Sequence, residues 1–155
     1  MINEGDKVPA IDLTLSDGTS VNLAAPGQPL VLYFYPKDDT SGCTIEAKDF
    51  SSLKSAFDAT GVGLLGVSKD PPKAHAKFTA KYDLTVPLAT DADGNVTEGF
   101  GTWVEKSLYG RKYMGIERAT FLIGADGKIV RAWHKVKVAG HAEEVLAAAR
   151  ALKGV

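Results

Sequence analysis

The chain has 155 residues, with 18 Lys and Arg against 19 Asp and Glu and a formal net charge of −1. That length suits one domain with its own core, expected over residues 1–155, and an almost neutral balance gives no basis for a nucleic-acid or membrane partner. No apolar run reaches the roughly 18 residues of a membrane helix, and the acidic, polar start "MINEGDKVPAIDL" is not expected to be a secretory leader. A lone cysteine, Cys43, cannot form an internal disulfide, which fits a reducing cytoplasm.

In chain order, "AIDLTL" alternates, with Ile11, Leu13 and Leu15 on one face; the turn "SDGT" and the return "VNL" complete an N-terminal β-hairpin. "PLVLYFYP" is apolar at nearly every position and reads as a strand buried on both faces. Past Cys43 the period lengthens: Ala47, Phe50, Leu53 and Phe57 mark one helix face. "GVGLLGVS" is a second buried strand. "DPPKAHAKFTAKY" opens a helix capped by Asp70, with a stripe of Ala74, Phe78 and Tyr82. "VPLAT" is a short strand ending at "DADG". "ATFLIGADGKIVRAWHKV" forms a hairpin about Ala125, Asp126 and Gly127. "HAEEVLAAARALKG" is a closing helix with Glu143 and Glu144 in its first turn and Gly154 as its stop. The order predicts an α/β fold with a mixed sheet and helices on both faces.

Cys43 sits in "PKDDTSGCTIEAKDF", between a buried strand and a helix. A free cysteine is often a buried filler. At a helix N-terminus, however, unpaired N–H groups and the helix dipole favour an anion, so the thiol pKa is expected to fall. The strand also delivers it to the C-terminal edge of the sheet, where open α/β folds bind ligands. A fall from about 8.5 to about 6 raises the thiolate fraction at pH 7 from roughly 3% to roughly 90%. That is about 30-fold, or about 2 kcal/mol, too little for a fast enzyme, so further donors must converge on the sulfur. Thr40, three residues earlier, offers a hydroxyl to a substrate oxygen or serves as a cap. Pro36 fixes and shields the loop or simply ends the strand.

"YPKDDTSGCT" resembles the peroxiredoxin active-site loop, Pro-x-x-x-Thr-x-x-Cys, with Pro36, Thr40 and Cys43 in the motif positions. "GVSKD", "FGTWVEKSLYGRKYMGIERATFLIGADGKI" and "KVKVAGHAEEVL" resemble the peroxiredoxin Q class, also called bacterioferritin comigratory proteins, over nearly the whole chain. The resemblance implies a thioredoxin-like fold and reduction of hydrogen peroxide and organic hydroperoxides without a cofactor or metal. It places the family's catalytic arginine on Arg118. Cys43 would attack the terminal peroxide oxygen and become a sulfenic acid. Thr40, Arg118 and the N–H groups near Gly42 and Cys43 would stabilise the leaving oxygen.

Many members of this class resolve the sulfenic acid with a second cysteine. The two slots for it are Lys48 and Thr79 here. Along a continuous helix, positions 43 and 48 lie about 7.5 Å apart in rise and about 140° apart in rotation, so a disulfide between them requires unwinding. Without that cysteine, an outside thiol must reduce Cys43: glutathione, thioredoxin, glutaredoxin or another copy. A peroxide sensor or redox relay would use the same sulfenic acid and is the alternative function. A monomer is expected. His75, His134 and His141 lack metal-ligand spacing and are expected at the surface. A phosphatase loop is disfavoured by the acids after Cys43, and a papain-like Cys–His pair has no positional support. Trp103 and Tyr109 either border the site or pack.

Overall fold

The computed structural model describes residues 2–15 and 17–153. The elements in chain order are β1 (Asp12–Thr14), β2 (Ser20–Asn22), β3 (Leu30–Phe34), α1 (Ser41–Ser52), α2 (Lys54–Thr60), β4 (Gly63–Ser68) and α3 (Pro72–Tyr82). These are followed by β5 (Leu88–Thr90), α4 (Asn95–Gly99), β6 (Trp103–Leu108), β7 (Arg111–Ile116), β8 (Ala119–Ile123), β9 (Ile129–Trp133) and α5 (His141–Lys153).

The central sheet runs β5-β4-β3-β8-β9. β3, β4 and β5 are parallel, while β8 and β9 join antiparallel. This is the mixed sheet expected from the element order. The apolar run of β3 is explained by its two faces. Val31, Tyr33 and Tyr35 enter one core with Phe50 of α1, Phe57 of α2, Phe78 of α3 and the α5 stripe Ala142, Val145, Leu146 and Ala149. Leu30, Leu32 and Phe34 enter the other with Val96, Phe100, Ile116 and Leu13 of the N-terminal hairpin. Alternate residues of a strand point to opposite faces, so a strand covered on both sides reads apolar throughout. The hairpin β1–β2 forms as expected, and Leu15 bridges to Ala89 beside the main sheet.

The β8–β9 turn falls where "ADG" places it. Gly127 has φ +82, and a Cβ there would stand 2.0 Å from the Ala24 carbonyl oxygen, so only glycine fits.

Four expectations need correction. The helix read through Leu53 and Phe57 is two helices, α1 and α2, meeting at Leu53. The apolar stripe crosses the break because both pieces face the same core; Ser51 meanwhile accepts at its hydroxyl from the Thr85 and Val86 N–H groups and at its carbonyl from the Thr85 hydroxyl. Asp70 does not cap α3, whose N-cap is Pro71; its carboxylate accepts from the Asp38 N–H and the Ser68 hydroxyl. His75 and His141 are buried, not surface residues, because each ring has polar partners inside the fold. The segment 91–116, left without elements above, holds α4 and the hairpin β6–β7. The expected stop Gly154 lies outside the described residues. No helix among the described residues is long and apolar enough to cross a membrane.

Candidate active site

Cys43 is the third residue of α1, whose N-cap is Thr40. The first bond of the helical ladder runs from the Thr44 N–H to the Thr40 carbonyl. The N–H groups of Ser41, Gly42 and Cys43 precede it and have no intrahelical partner. Thr40 makes no side-chain cap. Its hydroxyl donates instead to the Lys37 carbonyl at 2.8 Å. Toward a bound molecule Thr40 therefore presents lone pairs, and it donates only after turning away from Lys37.

The sulfur is almost enclosed, with Cys43 2% exposed and packed beside Tyr33, Tyr35, Ala47 and Phe50 in the core. Arg118, between β7 and β8, reaches it from across the fold: Nη2 donates to Cys43 Sγ at 3.3 Å, and Nη1 donates to Glu46 Oε1 at 2.6 Å. One planar guanidinium thus joins two residues of α1 separated by three positions. Gly42 permits this approach, since a Cβ on it would lie 3.1 Å from Arg118 Nη2.

The electrostatics follow from burial. Glu46 is 1% exposed, and burial pushes its carboxyl up to about 7 even though Arg118 pulls it down. Burial works against the charge on Arg118, but Glu46 and Cys43 outweigh it and its pKa rises. Burial, reinforced by Glu46 and Cys43, holds the Tyr33 phenol well above its ordinary value. The Tyr33 hydroxyl and Glu46 Oε2 are buried without hydrogen-bond partners among the described residues. Lys106 donates to the Ile116 carbonyl, and burial, then Arg118, lowers its pKa.

Of the residues singled out from sequence, Cys43, Gly42 and Arg118 stand together. Thr40 occupies the N-cap immediately before them, and Pro36 is an exposed residue at the loop entrance. Lys48 is exposed, its Nζ 5.9 Å from the Tyr82 ring centroid, while the Thr79 carbonyl accepts the Leu84 N–H at the end of α3. Trp103 packs beside the second core with Lys69 Nζ 3.9 Å from its ring centroid; Tyr109 projects from the β6–β7 turn, 96% exposed. Glu46 was missed by sequence reasoning. The available signal was its spacing, three residues after Cys43 on one helix face.

This geometry can stabilise an anionic sulfur and an oxygen acquiring charge beside it. The AhpC/TSA family pattern matches residues 4–132. The chain is 49% identical over 142 residues to a Xanthomonas campestris protein named peroxiredoxin Bcp, covering 91% of this chain and 89% of the relative. Its fold resembles X. campestris peroxiredoxin Q with a TM-score of 0.89 at 46% identity, covering 98% of this chain and 99% of the other. A second structure, of the X. campestris bacterioferritin comigratory protein, matches with a TM-score of 0.88 at 45% identity and covers 97% and 99% of the two chains. It is described as giving insight into alkyl peroxide reduction from trapped intermediate and ligand complexes.

Proposed function

Because this chain belongs to the AhpC/TSA family and is a thiol-dependent peroxidase, we propose that Cys43 is its sole peroxidatic residue and that an outside thiol completes each cycle. The supporting observation is the 3.3 Å approach of Arg118 Nη2 to Cys43 Sγ in the first turn of α1.

The thiolate attacks the terminal oxygen of a hydroperoxide, forming the S–O bond as the O–O bond breaks. The leaving alkoxide or hydroxide takes up a proton to give alcohol or water, and Cys43 is left as sulfenic acid, oxidised by two electrons. Arg118 and the N–H groups of Gly42 and Cys43 are placed to meet charge on the leaving oxygen. Thr40, its hydrogen held by Lys37, accepts from the peroxide O–H and so orients it. A thiol then displaces water from the sulfenic acid, giving a mixed disulfide, and a second thiol releases Cys43. Lys48 and Thr79 supply no sulfur, so the donor is an outside thiol: glutathione, thioredoxin, glutaredoxin or another copy of the chain. The protein acts as a monomer in a reducing compartment such as the cytoplasm. The relatives, named as peroxiredoxins, favour a peroxidase over a sensor or relay.

The test is peroxide consumption by the protein with each thiol donor in turn. Many turnovers per chain with at least one donor, and none for Cys43→Ser, are expected. Normal consumption by folded Cys43→Ser rejects the assignment.

A further inference from the structure

We propose that His75 is a positioning residue for the peroxidatic loop: through Asp38 it fixes where α1 begins, and so where the Cys43 sulfur stands against Arg118. This rests on the peroxidase role of Cys43.

The loop from Tyr35 to Thr40 joins β3 to α1 and is tied into the fold by buried polar contacts. Asp38 points inward from it. Oδ1 accepts from the Tyr35 hydroxyl at 2.5 Å, and Oδ2 lies 2.7 Å from His75 Nδ1, a hydrogen bond in which one hydrogen is held between the two. The Tyr35 oxygen also lies 3.4 Å from His75 Nδ1, but its one hydrogen serves Asp38. On the far side of the ring, His75 Nε2 donates to the Ala89 carbonyl at 3.0 Å. A carbonyl oxygen only accepts, so Nε2 carries a hydrogen, and the contact with Asp38 carries another. Both ring nitrogens are therefore satisfied, in a side chain with no exposure.

The chain of contacts runs from Ala89 of β5 through His75, near the start of α3, into the loop. The Asp38 N–H donates to Asp70, which follows β4. The next residue, Asp39, is held in the left-handed region at φ 58, with its carboxylate bonded to Lys81 and Tyr82 of α3. Thr40 and the first turn of α1 follow directly. A buried carboxyl group deprived of its hydrogen-bond partner is costly to leave in place, so Asp38 and the backbone it carries shift when the histidine bond is lost. Peroxide attack depends on alignment of sulfur, oxygen and guanidinium within a fraction of an ångström. Alkylation of the thiolate needs only ionisation and access.

Two variants separate positioning from mere packing. His75→Asn places an amide N–H near the position of Nδ1 and keeps a donor for Asp38. His75→Gln reaches the position of Nε2, keeping Ala89 and abandoning Asp38. Single-turnover rates of Cys43 with hydrogen peroxide and with iodoacetamide are measured across pH, with folding checked by circular dichroism. The peroxide-to-alkylation rate ratio is expected to fall about tenfold or more in His75→Gln and to stay near the wild-type value in His75→Asn. Equal ratios in the two variants, or a loss confined to His75→Asn, overturn the proposal. If either variant does not fold, Tyr35→Phe replaces it: loss of the donor to Asp38 Oδ1 should lower the same ratio, and an unchanged ratio overturns the proposal. Wild-type protein that failed to react with peroxide at all would remove the peroxidase reading as well, an outcome distinct from an active wild type with indifferent variants.

Discussion

Arg118 Nη2 lies 3.3 Å from the Cys43 sulfur although the two residues are 75 positions apart, and the same guanidinium holds Glu46. A lysine can supply the charge but not the planar fork that serves two partners at once. Arg118→Lys should keep the fold and lose peroxide rate on the order of a hundredfold, about 2–4 kcal/mol, the scale of one oxyanion donor. The measurement is made at a pH where Cys43 is fully ionised in both proteins. An unchanged rate there would make Arg118 only a device for ionising the thiol.

Gly42→Ala should separate stability from activity. Alanine in a helix is favoured over glycine by about 1 kcal/mol, and the φ of Gly42 is not positive. Its methyl would nevertheless meet Arg118 Nη2 at 3.1 Å and press it away from the sulfur. The urea midpoint should hold or rise while the single-turnover peroxide rate falls by roughly tenfold. A variant at least as fast as wild type would show that the present guanidinium position is not required.

Stability should depend on pH through two buried groups acting in opposite senses. Burial raises Glu46 from 4.5 to about 7, so its contribution is present at low pH and is lost as pH rises through about 7. Burial lowers His141 from 6.5 to about 4, so its contribution is present above about 6.5 and is lost as pH falls through about 4. Between about pH 4.5 and 6.5 the slopes oppose each other. Urea titrations should find stability rising with pH in this window for Glu46→Gln and falling for His141→Gln. Parallel curves for Glu46→Gln and wild type would show that Glu46 does not titrate there.

Overoxidation should mark the missing resolving sulfur. Treated with peroxide and no thiol, the protein should gain oxygen atoms on Cys43, seen by intact mass, as sulfenic acid proceeds to sulfinic acid. Glutathione present from the start should suppress the gain. A quantitative intermolecular disulfide at low protein concentration would instead mean that a second copy provides the resolving thiol.

The elements legible in the sequence were those with local causes. β3 is apolar because both faces are covered, α5 carries a clear stripe, and "ADG" marks its turn. The β6–β7 hairpin was not legible because Tyr109 and Gly110 both take positive φ at its turn; a tyrosine there gives no warning, whereas Asn-Gly would. Cys43 could be placed by its position before a helix, and Arg118 by motif. Glu46 offered only its three-residue spacing from Cys43, and the pair Asp38–His75 offered nothing, because the bonded partners are 72 and 37 positions apart and come together only in the fold. A buried histidine with both nitrogens satisfied looks, in sequence, like any polar residue on a helix.

The near-complete enclosure of Cys43 makes the two halves of the cycle unequal in size tolerance. A peroxide brings only two oxygens and needs little room. A reducing protein must bring its own sulfur to within about 2 Å to form a mixed disulfide, which the closed first turn of α1 forbids. That turn lacks a side-chain cap, so it is the part of the helix least expensive to fray. With a bulky donor in excess, turnover should therefore level off at a ceiling set by the fraying of α1 and shared by unrelated protein donors, while oxidation by small peroxides continues to rise in proportion to their concentration.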